Sequence, residues 1–330
     1  MNNIRLCTKA DIEDLKEFLD NKWQKNHILT RDDSLLDFQH KNKNIYNFVI
    51  SRDSDNKING VLGFIPTFQF DQTLLKDSCV WLAIWKVDEE ISSPGLGISL
   101  IKWLEDNFNP KFIGTVGQNF EANKLYNLLG FITGEMNHYY FANSDLEEFK
   151  ISKNIDKNSI PKIFQDALPI KNINFSEIDD KIFINSPKKT KSYVENRFLN
   201  HPSYNYLFFG VFIDKQLKVL IIARIVVANN VSCLRIVDMF GNFSELENYQ
   251  FDLKNLIKKY NCEYVDCLNY GIPKNFFINW GFCLKDDKVI IPEYFEPFIR
   301  KNKKIYFAIK PHFNDFIIFK SDCDQDRPNI

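Results

Sequence analysis

The sequence predicts an α/β (α+β) protein built as two tandem units, each a mixed, mostly antiparallel sheet flanked by helices. Three observations carry this expectation. Apolar residues switch repeatedly between a strand period and a helix period through the first half. The second half repeats the later part of that order, and internal repeats point to duplicated units. Both repeats close on a Gly-Phe pair, Gly130-Phe131 and Gly281-Phe282. A length of 330 residues agrees with two cores, because single cores stop growing near ~250–300 residues.

The elements follow in order. "NIRLCT" reads as a strand, and "ADIEDLKEFLDNKW" as a helix, with Ile12, Leu15, Phe18 and Leu19 at helical spacing. "SLLDFQHK" is a shorter helix. "YNFVISRDSDNKINGVLGFIP" is a hairpin around a polar turn. "SCVWLAIWKV" is apolar on both faces, as a central strand must be. A Pro-Gly-Leu-Gly turn then opens the helix "ISLIKWLEDN". "KFIGTVG" is a strand, and "NFEANKLYNLLGF" a helix with Gly130 at its C-terminal cap. In the second half "YLFFGVFIDKQLKVLIIARI" is a hairpin, and "VSCLRIVDMFG" stands where "SCVWLAIWKV" stood. "SELENYQFDLKNLIKKYN" replaces the helix after the glycine turn, "CEYVDCLNYG" the next strand, and "PKNFFINWGF" the last helix. The expected division is a first domain over 1–142, a polar linker over 143–159 and a second, degenerate domain over 160–330.

Composition excludes several classes. A net charge of −1 gives no basic footprint for nucleic acid. The opening "MNNIRLCTKAD" lacks an apolar signal core. The longest apolar run, "LKVLIIARIVVA", is broken by Lys218 and Arg224 and falls short of the ~20 residues a spanning helix needs. Seven cysteines without a CxxC spacing support neither a disulfide framework nor a metal site. The expectation is a reduced, cytoplasmic protein without membrane or nucleic-acid partners, monomeric or dimeric.

Of only 12 glycines, two lie one residue apart in Pro94-Gly95-Leu96-Gly97. The plain reading is a tight strand-to-helix connection. The functional reading is an anion cradle, since a helix N-terminus presents unpaired amides and about half a positive charge. One strand and one helix downstream stands Asn119-Phe-Glu-Ala122-Asn-Lys124-Leu125-Tyr126-Asn-Leu-Leu-Gly130-Phe131.

Together these stretches resemble the GCN5-related N-acetyltransferase (GNAT) superfamily. Its acyl-CoA loop runs Gln/Arg-x-x-Gly-x-Gly/Ala; Ser92 replaces the leading residue here, and both glycines match. Its second motif, Asn-x-x-Ala-x-x-Leu-Tyr-x-x-x-Gly-Phe, is matched at every named position. The resemblance implies coenzyme A as cofactor, no metal, and pantetheine between two splayed strands. It implies contacts from Ile84, Trp85, Val87, Pro94, Gly95, Leu96, Gly97, Ile98, Asn119, Ala122, Lys124 and Tyr126. An amide near Ile84 or Trp85 would polarise the thioester carbonyl, and Tyr126 would donate a proton to the leaving thiolate. Tyr126 also has the spacing of a core aromatic beside Leu125 and Leu129. In the second unit the matching turn, "MFGNFSELE", has one glycine and two glutamates, which would repel a pyrophosphate.

Four stretches face the acceptor question. "NKWQKNHILTRDDSLLDFQHKN" holds Trp23, His27, Phe38, Gln39 and His40; "LRIVDMFGN" holds Arg235 and Asp238; "ENRFLNHPSYNY" and the terminal "FKSDCDQDRPN" complete the set. The bland readings are a solvated helix pair, a structural Arg–Asp pair and a frayed tail. His40, His27 and Asp238 are the candidate bases, as an ammonium must lose a proton before it attacks. The pattern resembles bacterial nucleotide-sugar N-acyltransferases of the 3-hydroxybutyryltransferase type. That likeness implies transfer of an acetyl or 3-hydroxybutyryl group to a dTDP-linked amino sugar, for O-antigen or other lipopolysaccharide biosynthesis. A tandem aminoacyl or peptidoglycan-precursor transferase and a non-catalytic acyl-CoA sensor are the alternatives.

Overall fold

The structure, a computed structural model, describes residues 3–157 and 167–329. The end of the expected linker and the first residues of the expected second domain, 158–166, lie outside the described residues. The first half supplies β1 (Asn3–Thr8), β2 (Lys41–Asn42), β3 (Ile45–Arg52), β4 (Ile58–Pro66), β5 (Cys79–Val87), β6 (Phe112–Gln118), β7 (Ile132–Glu135) and β8 (Asn137–Ala142). The second supplies β9 (Ile170–Asn172), β10 (Leu207–Ile213), β11 (Gln216–Ala228), β12 (Val231–Gly241) and β13 (Cys262–Tyr270). β14 (Cys283–Leu284), β15 (Tyr294–Phe295), β16 (Phe298–Ile299), β17 (Tyr306–Pro311) and β18 (Ile318–Phe319) end the series. The helices are α1 (Ile12–Phe18), α2 (Ile28–Arg31), α3 (Asp33–His40), α4 (Leu96–Phe108), α5 (Phe120–Leu128), α6 (Lys191–Val194), α7 (Leu253–Tyr260) and α8 (Lys274–Asn279).

Two eight-stranded sheets result. One runs β1-β3-β4-β5-β6-β17-β7 with β2 on β3; the other runs β14-β8-β13-β12-β11-β10-β9 with β18 on β13. Each sheet is antiparallel except for one pair, β5–β6 in the first and β12–β13 in the second. The units have exchanged a strand. β17, from the end of the chain, lies between β6 and β7, while β8 lies between β13 and β14. The expected boundary at 142 therefore cuts after a strand of the second sheet, and the first sheet is complete only with residues 306–311.

Local chemistry explains the helices that frame the gap. Gly95 caps α4 at φ 84°, a left-handed conformation open to glycine. Leu96, Leu100, Ile101 and Leu104 bury one face of α4 against the sheet. Asn119 caps α5 by accepting from the Ala122 amide at 2.8 Å. The expected long helix over 244–261 is shorter, only Leu253–Tyr260. Phe243, Leu246 and Phe251 ahead of it are buried at irregular spacing, which turns satisfy and a helix does not. The linker is pinned rather than free. The Glu263 carboxylate accepts from the amides of Lys150 (2.7 Å), Ile151 (2.9 Å) and Ser152 (2.6 Å). Among the described residues no helix is long and apolar enough to cross a membrane, and no disulfide forms.

The core runs across both sheets. One cluster unites Trp81, Phe112, Phe307 and Ile309 of the first sheet with Phe208, Leu220, Ile222 and Val237 of the second. Exchange and shared core make each unit depend on the other. Residues 1–157 produced alone are expected to be unfolded or aggregated, because β6 and β7 keep bare edges without β17. The whole chain is expected to melt in one cooperative transition. Circular dichroism and gel filtration check both, and a folded, monomeric 1–157 fragment would contradict the exchange.

Candidate active site

β5 and β6 pair at Cys79–Phe112, Val80–Ile113 and Trp81–Gly114, and then part. On its other side β5 slips register: Ile84 faces Gly63 but Leu82 faces Phe64, which leaves Ala83 as a one-residue bulge. A bulge bends the strand and redirects its groups. Between the parted strands lies a cavity of about 540 Å³. Its walls are Leu82–Trp85, Thr115–Gln118, the start of α5 with Asn119, Ala122 and Tyr126, and Trp23, Gln24 and His27 from the first helices. The second half contributes Tyr294, Glu296, Pro297, Asp324, Gln325, Arg327 and Asn329.

The second unit carries the same device. Ile222 faces Asp238 and Ala223 faces Ile236, so Val237 bulges from β12 as Ala83 does from β5. β12 and β13 are paired through Ile236–Cys267 and go no further. There the gap is filled by the chain itself. β18 pairs with Asn269 and Tyr270 of β13, and the Ser321 hydroxyl donates to the Val237 carbonyl at 2.5 Å. Lys189 bridges Asp238 at 2.6 Å and Asp322 at 2.5 Å within that plug.

From the plug the chain crosses to the first gap. The Cys323 thiol donates to the Leu82 carbonyl at 3.0 Å and accepts from the Val116 amide, so one sulfur joins the two strands just past their last pair. Gln325 lies flat on Gly117, whose φ is 90°; a Cβ there would sit 2.3 Å from the glutamine. The terminal segment, buried from Ser321 to Asp324, is therefore the cavity floor and no frayed tail.

At the outer end of the cavity stands the mouth of α4. The amides of Gly97 and Ile98 donate to no backbone carbonyl among the described residues, and the first turn of α4 has no acidic residue. Trp85 donates its indole N–H to the Gly97 carbonyl at 3.1 Å. Gly97 must be small, since a Cβ would meet that indole at 3.0 Å. Pro94, Gly95 and Ile98 are exposed, so the mouth is open to an anion. The counterpart helix α7 is closed to one: Asp252 already caps it.

No family model matches the sequence, and no curated protein resembles it closely in sequence. Solved structures do resemble the fold. A GCN5-related N-acetyltransferase from Anabaena variabilis superposes with a TM-score of 0.58 at 11% identity, over 95% of this chain and 73% of that one. The fold is that of the GNAT proteins. A conserved Enterococcus faecalis protein, a probable N-acyltransferase, gives 0.55 at 11% identity over 94% of this chain and 73% of its own.

Within this GNAT fold the expected cofactor residues fall into two groups. Ile84, Trp85, Asn119, Ala122 and Tyr126 line the cavity. Val87 and Pro94–Ile98 do not line it, Gly97 adjoining it through the Trp85 indole, and Lys124 is exposed, its ammonium 4.3 Å from the Phe120 ring. Tyr126 is buried between Trp85 and Phe131, with ring centroids 5.3 and 5.1 Å away. Burial pushes its hydroxyl up, so it stays protonated. Of the expected acceptor residues, Trp23 and His27 reach the cavity and the others do not. Phe38 packs on His201 and Phe70 between the units. Gln39 is fully buried in the core. Arg235 is bound by Asp266 at 2.6 Å and by the carbonyls of Pro292 and Glu293. Asp238 belongs to the plug of the second gap. Both are held in structural ion pairs, though not with each other or in the Arg–Asp pairing expected for Asp238, whose partner is Lys189.

The candidate bases are corrected on the same grounds. His40 donates through Nδ1 to the Phe64 carbonyl at 3.1 Å, off the cavity. His27 is on the cavity, but its Nε2 accepts from Arg327 at 2.9 Å, a guanidinium that can only donate. Asp238 is paired with Lys189. The carboxylates that do border the cavity are Glu296 and Asp324; Asp324 lies in the terminal stretch that the sequence set beside the acceptor question, without being named there, and Glu296 was not singled out. Nothing along the chain marks Glu296, whose partner is Tyr204, whereas Asp324 pairs locally with Arg327.

Burial holds His27 and His40 neutral, each lowered to about 4, and lowers His201 to about 3. In the unfolded chain these rings take up protons near pH 6.5. Stability is thus complete above about 6.5 and is lost as pH falls toward 4. Thermal melts are expected to show a falling Tm across that window, with protons taken up on unfolding. A flat profile there would contradict the buried, neutral state.

Proposed function

We propose that the protein is an acyl-CoA-dependent N-acyltransferase, with its donor site in the first gap and none in the second. The observation that carries this reading is the pair of parted strands beside an open, acid-free helix mouth. The mouth fits a diphosphate through the amides of Gly97 and Ile98, and the gap fits a pantetheine arm along Ala83–Trp85 and Asn119. Acyl-CoA supplies an activated thioester; the residues supply its placement. An amide at the Ala83–Ile84 bend is suited to hold the carbonyl oxygen, an effect worth about 10²–10³ in rate per donor. The acceptor, having lost its ammonium proton to water, forms the C–N bond as the C–S bond breaks; Tyr126, held protonated, gives the departing sulfur its proton and is reprotonated by the proton that the new amide nitrogen releases through water.

For the acceptor we propose an amino sugar, carried in the narrower reading on dTDP and serving a surface polysaccharide. Support comes from the sequence likeness and from a cavity of about 540 Å³, a size that suits small molecules. Thiol release from acetyl-CoA and 3-hydroxybutyryl-CoA, measured against dTDP-amino sugars, free lysine and peptides, tests it. Turnover only with lysine or peptides would sink the sugar; binding of acyl-CoA without turnover on any amine would favour a sensor.

Two variants test the donor site. Ile98→Glu places a carboxylate on an exposed position in the first turn of α4. It is expected to leave Tm unchanged or slightly raised and to weaken CoA binding at least about tenfold, or about 1.4 kcal/mol. Tyr126→Phe is expected to lower kcat about 10²-fold with the Kd of acyl-CoA unchanged. Calorimetry and stopped-flow thiol assays read these, and unaltered CoA affinity in Ile98→Glu would refute the cradle.

A further inference from the structure

We propose that Glu296 captures the ammonium group of the acyl acceptor, and that a cleft beyond it holds an uncharged, ring-bearing body of that acceptor. The inference rests on the acyl-transfer reading, departs from its narrower dTDP-linked acceptor, and names the side from which the second substrate comes.

Glu296 follows β15 and borders three connected spaces. The first is the catalytic cavity; the second is a neck of about 20 Å³; the third is a surface cleft of about 270 Å³. The neck shares Tyr294, Gln325 and Arg327 with the cavity and shares Tyr204, Arg224 and Phe295 with the cleft. A carboxylate at such a junction meets whatever spans both ends.

Its charge is the second argument. Asp324 pairs with Arg327 at 3.4 Å and Asp326 with Arg224 at 2.8 Å. Glu296 makes no ion pair among the described residues. Its partners are neutral donors, the Tyr204 hydroxyl at 3.1 Å and the Asn329 amide at 3.1 Å. They orient the carboxylate and leave its charge uncompensated. A half-buried charge without a counterion favours a cationic ligand, and an amine acceptor arrives as an ammonium.

The cleft defines what the ammonium is attached to. Arg224 lies over the Tyr204 ring at 4.1 Å and is neutralised by Asp326. The remaining wall is Asn205 and the apolar Ile225, Val226, Val227 and Phe295, with Val227 67% exposed and Ile225 40% exposed. Among the described residues the cleft wall offers a diphosphate no cation beyond the paired Arg224, and Lys320 in the neck donates to the Glu293 carbonyl. The surface suits the face of a deoxygenated sugar ring or an aryl group, through stacking and apolar contact.

The test compares ethylamine with 2-phenylethylamine and a methyl amino-deoxyhexoside, using acetyl-CoA as donor. Glu296→Gln is expected to raise the KM of every amine at least tenfold with the Kd of acetyl-CoA unchanged. Val227→Trp, a surface change, is expected to raise the ratio of the ring-bearing amine's KM to that of ethylamine at least fivefold. An unchanged amine KM in the first variant, or an unchanged ratio in the second, overturns the proposal. Calorimetric titration of 2-phenylethylamine reads the site without turnover. Wild-type binding that is lost in Glu296→Gln upholds the capture site even if acyl transfer fails, and equal binding in both overturns it.

Discussion

Two parallel strands that part after three or four pairs leave backbone amides and carbonyls with no ladder partner, and buried groups of that kind must be satisfied somehow. This structure meets the requirement twice, in different ways. In the second unit the gap takes β18, Ser321 and the Lys189–Asp238–Asp322 cluster, so the sheet is sealed. In the first, a single sulfur from Cys323 ties the vertex and the rest stays open. One short segment thus seals one copy of the site and floors the other. The two units share an architecture and differ in what occupies the gap.

The exchange of β8 and β17 gives that segment its place. Because the strand next to one edge of each sheet comes from the other half, the chain must cross between the sheets near both gaps. The charged residues of the terminal segment can then be buried with distant partners. Burial alone would push the Asp326 carboxyl up, but Arg224 and Tyr206 outweigh it and hold it below the ordinary range. Arg327 reaches His27 across 300 positions. The resulting cavity has walls from both units.

Much of the fold was legible because it is local. Alternation and helical spacing place β3–β6, α4 and α5, the Asn119 cap is a short-range signal, and the Ser-Cys pairs at 78 and 232 mark equivalent strands that share even the bulge. The open mouth of α4 was legible as well, through Gly95 and Gly97. What escaped was long-range. β17 was not among the strands read from the sequence, and its insertion between β6 and β7 joins residues almost 200 positions apart. Asp238 reads as an unexplained strand carboxylate until Lys189, 49 positions away, is seen beside it. His40 has the spacing of a helix-end polar residue, and only the packed Phe48 and the Phe64 carbonyl show it to be core. Glu296 sits in an aromatic stretch and Asp324 in a polar one, and the burial of both depends on contacts across the units.

The central claim is that the first gap, and not the second, receives a thioester carrier by its diphosphate. Hydrogen–deuterium exchange with and without coenzyme A tests it most directly. Peptides covering 92–100 and 82–86 are expected to gain protection, with those covering 236–243 and 252–257 unaltered. Protection confined to the second set, or absent from the first, would contradict the account.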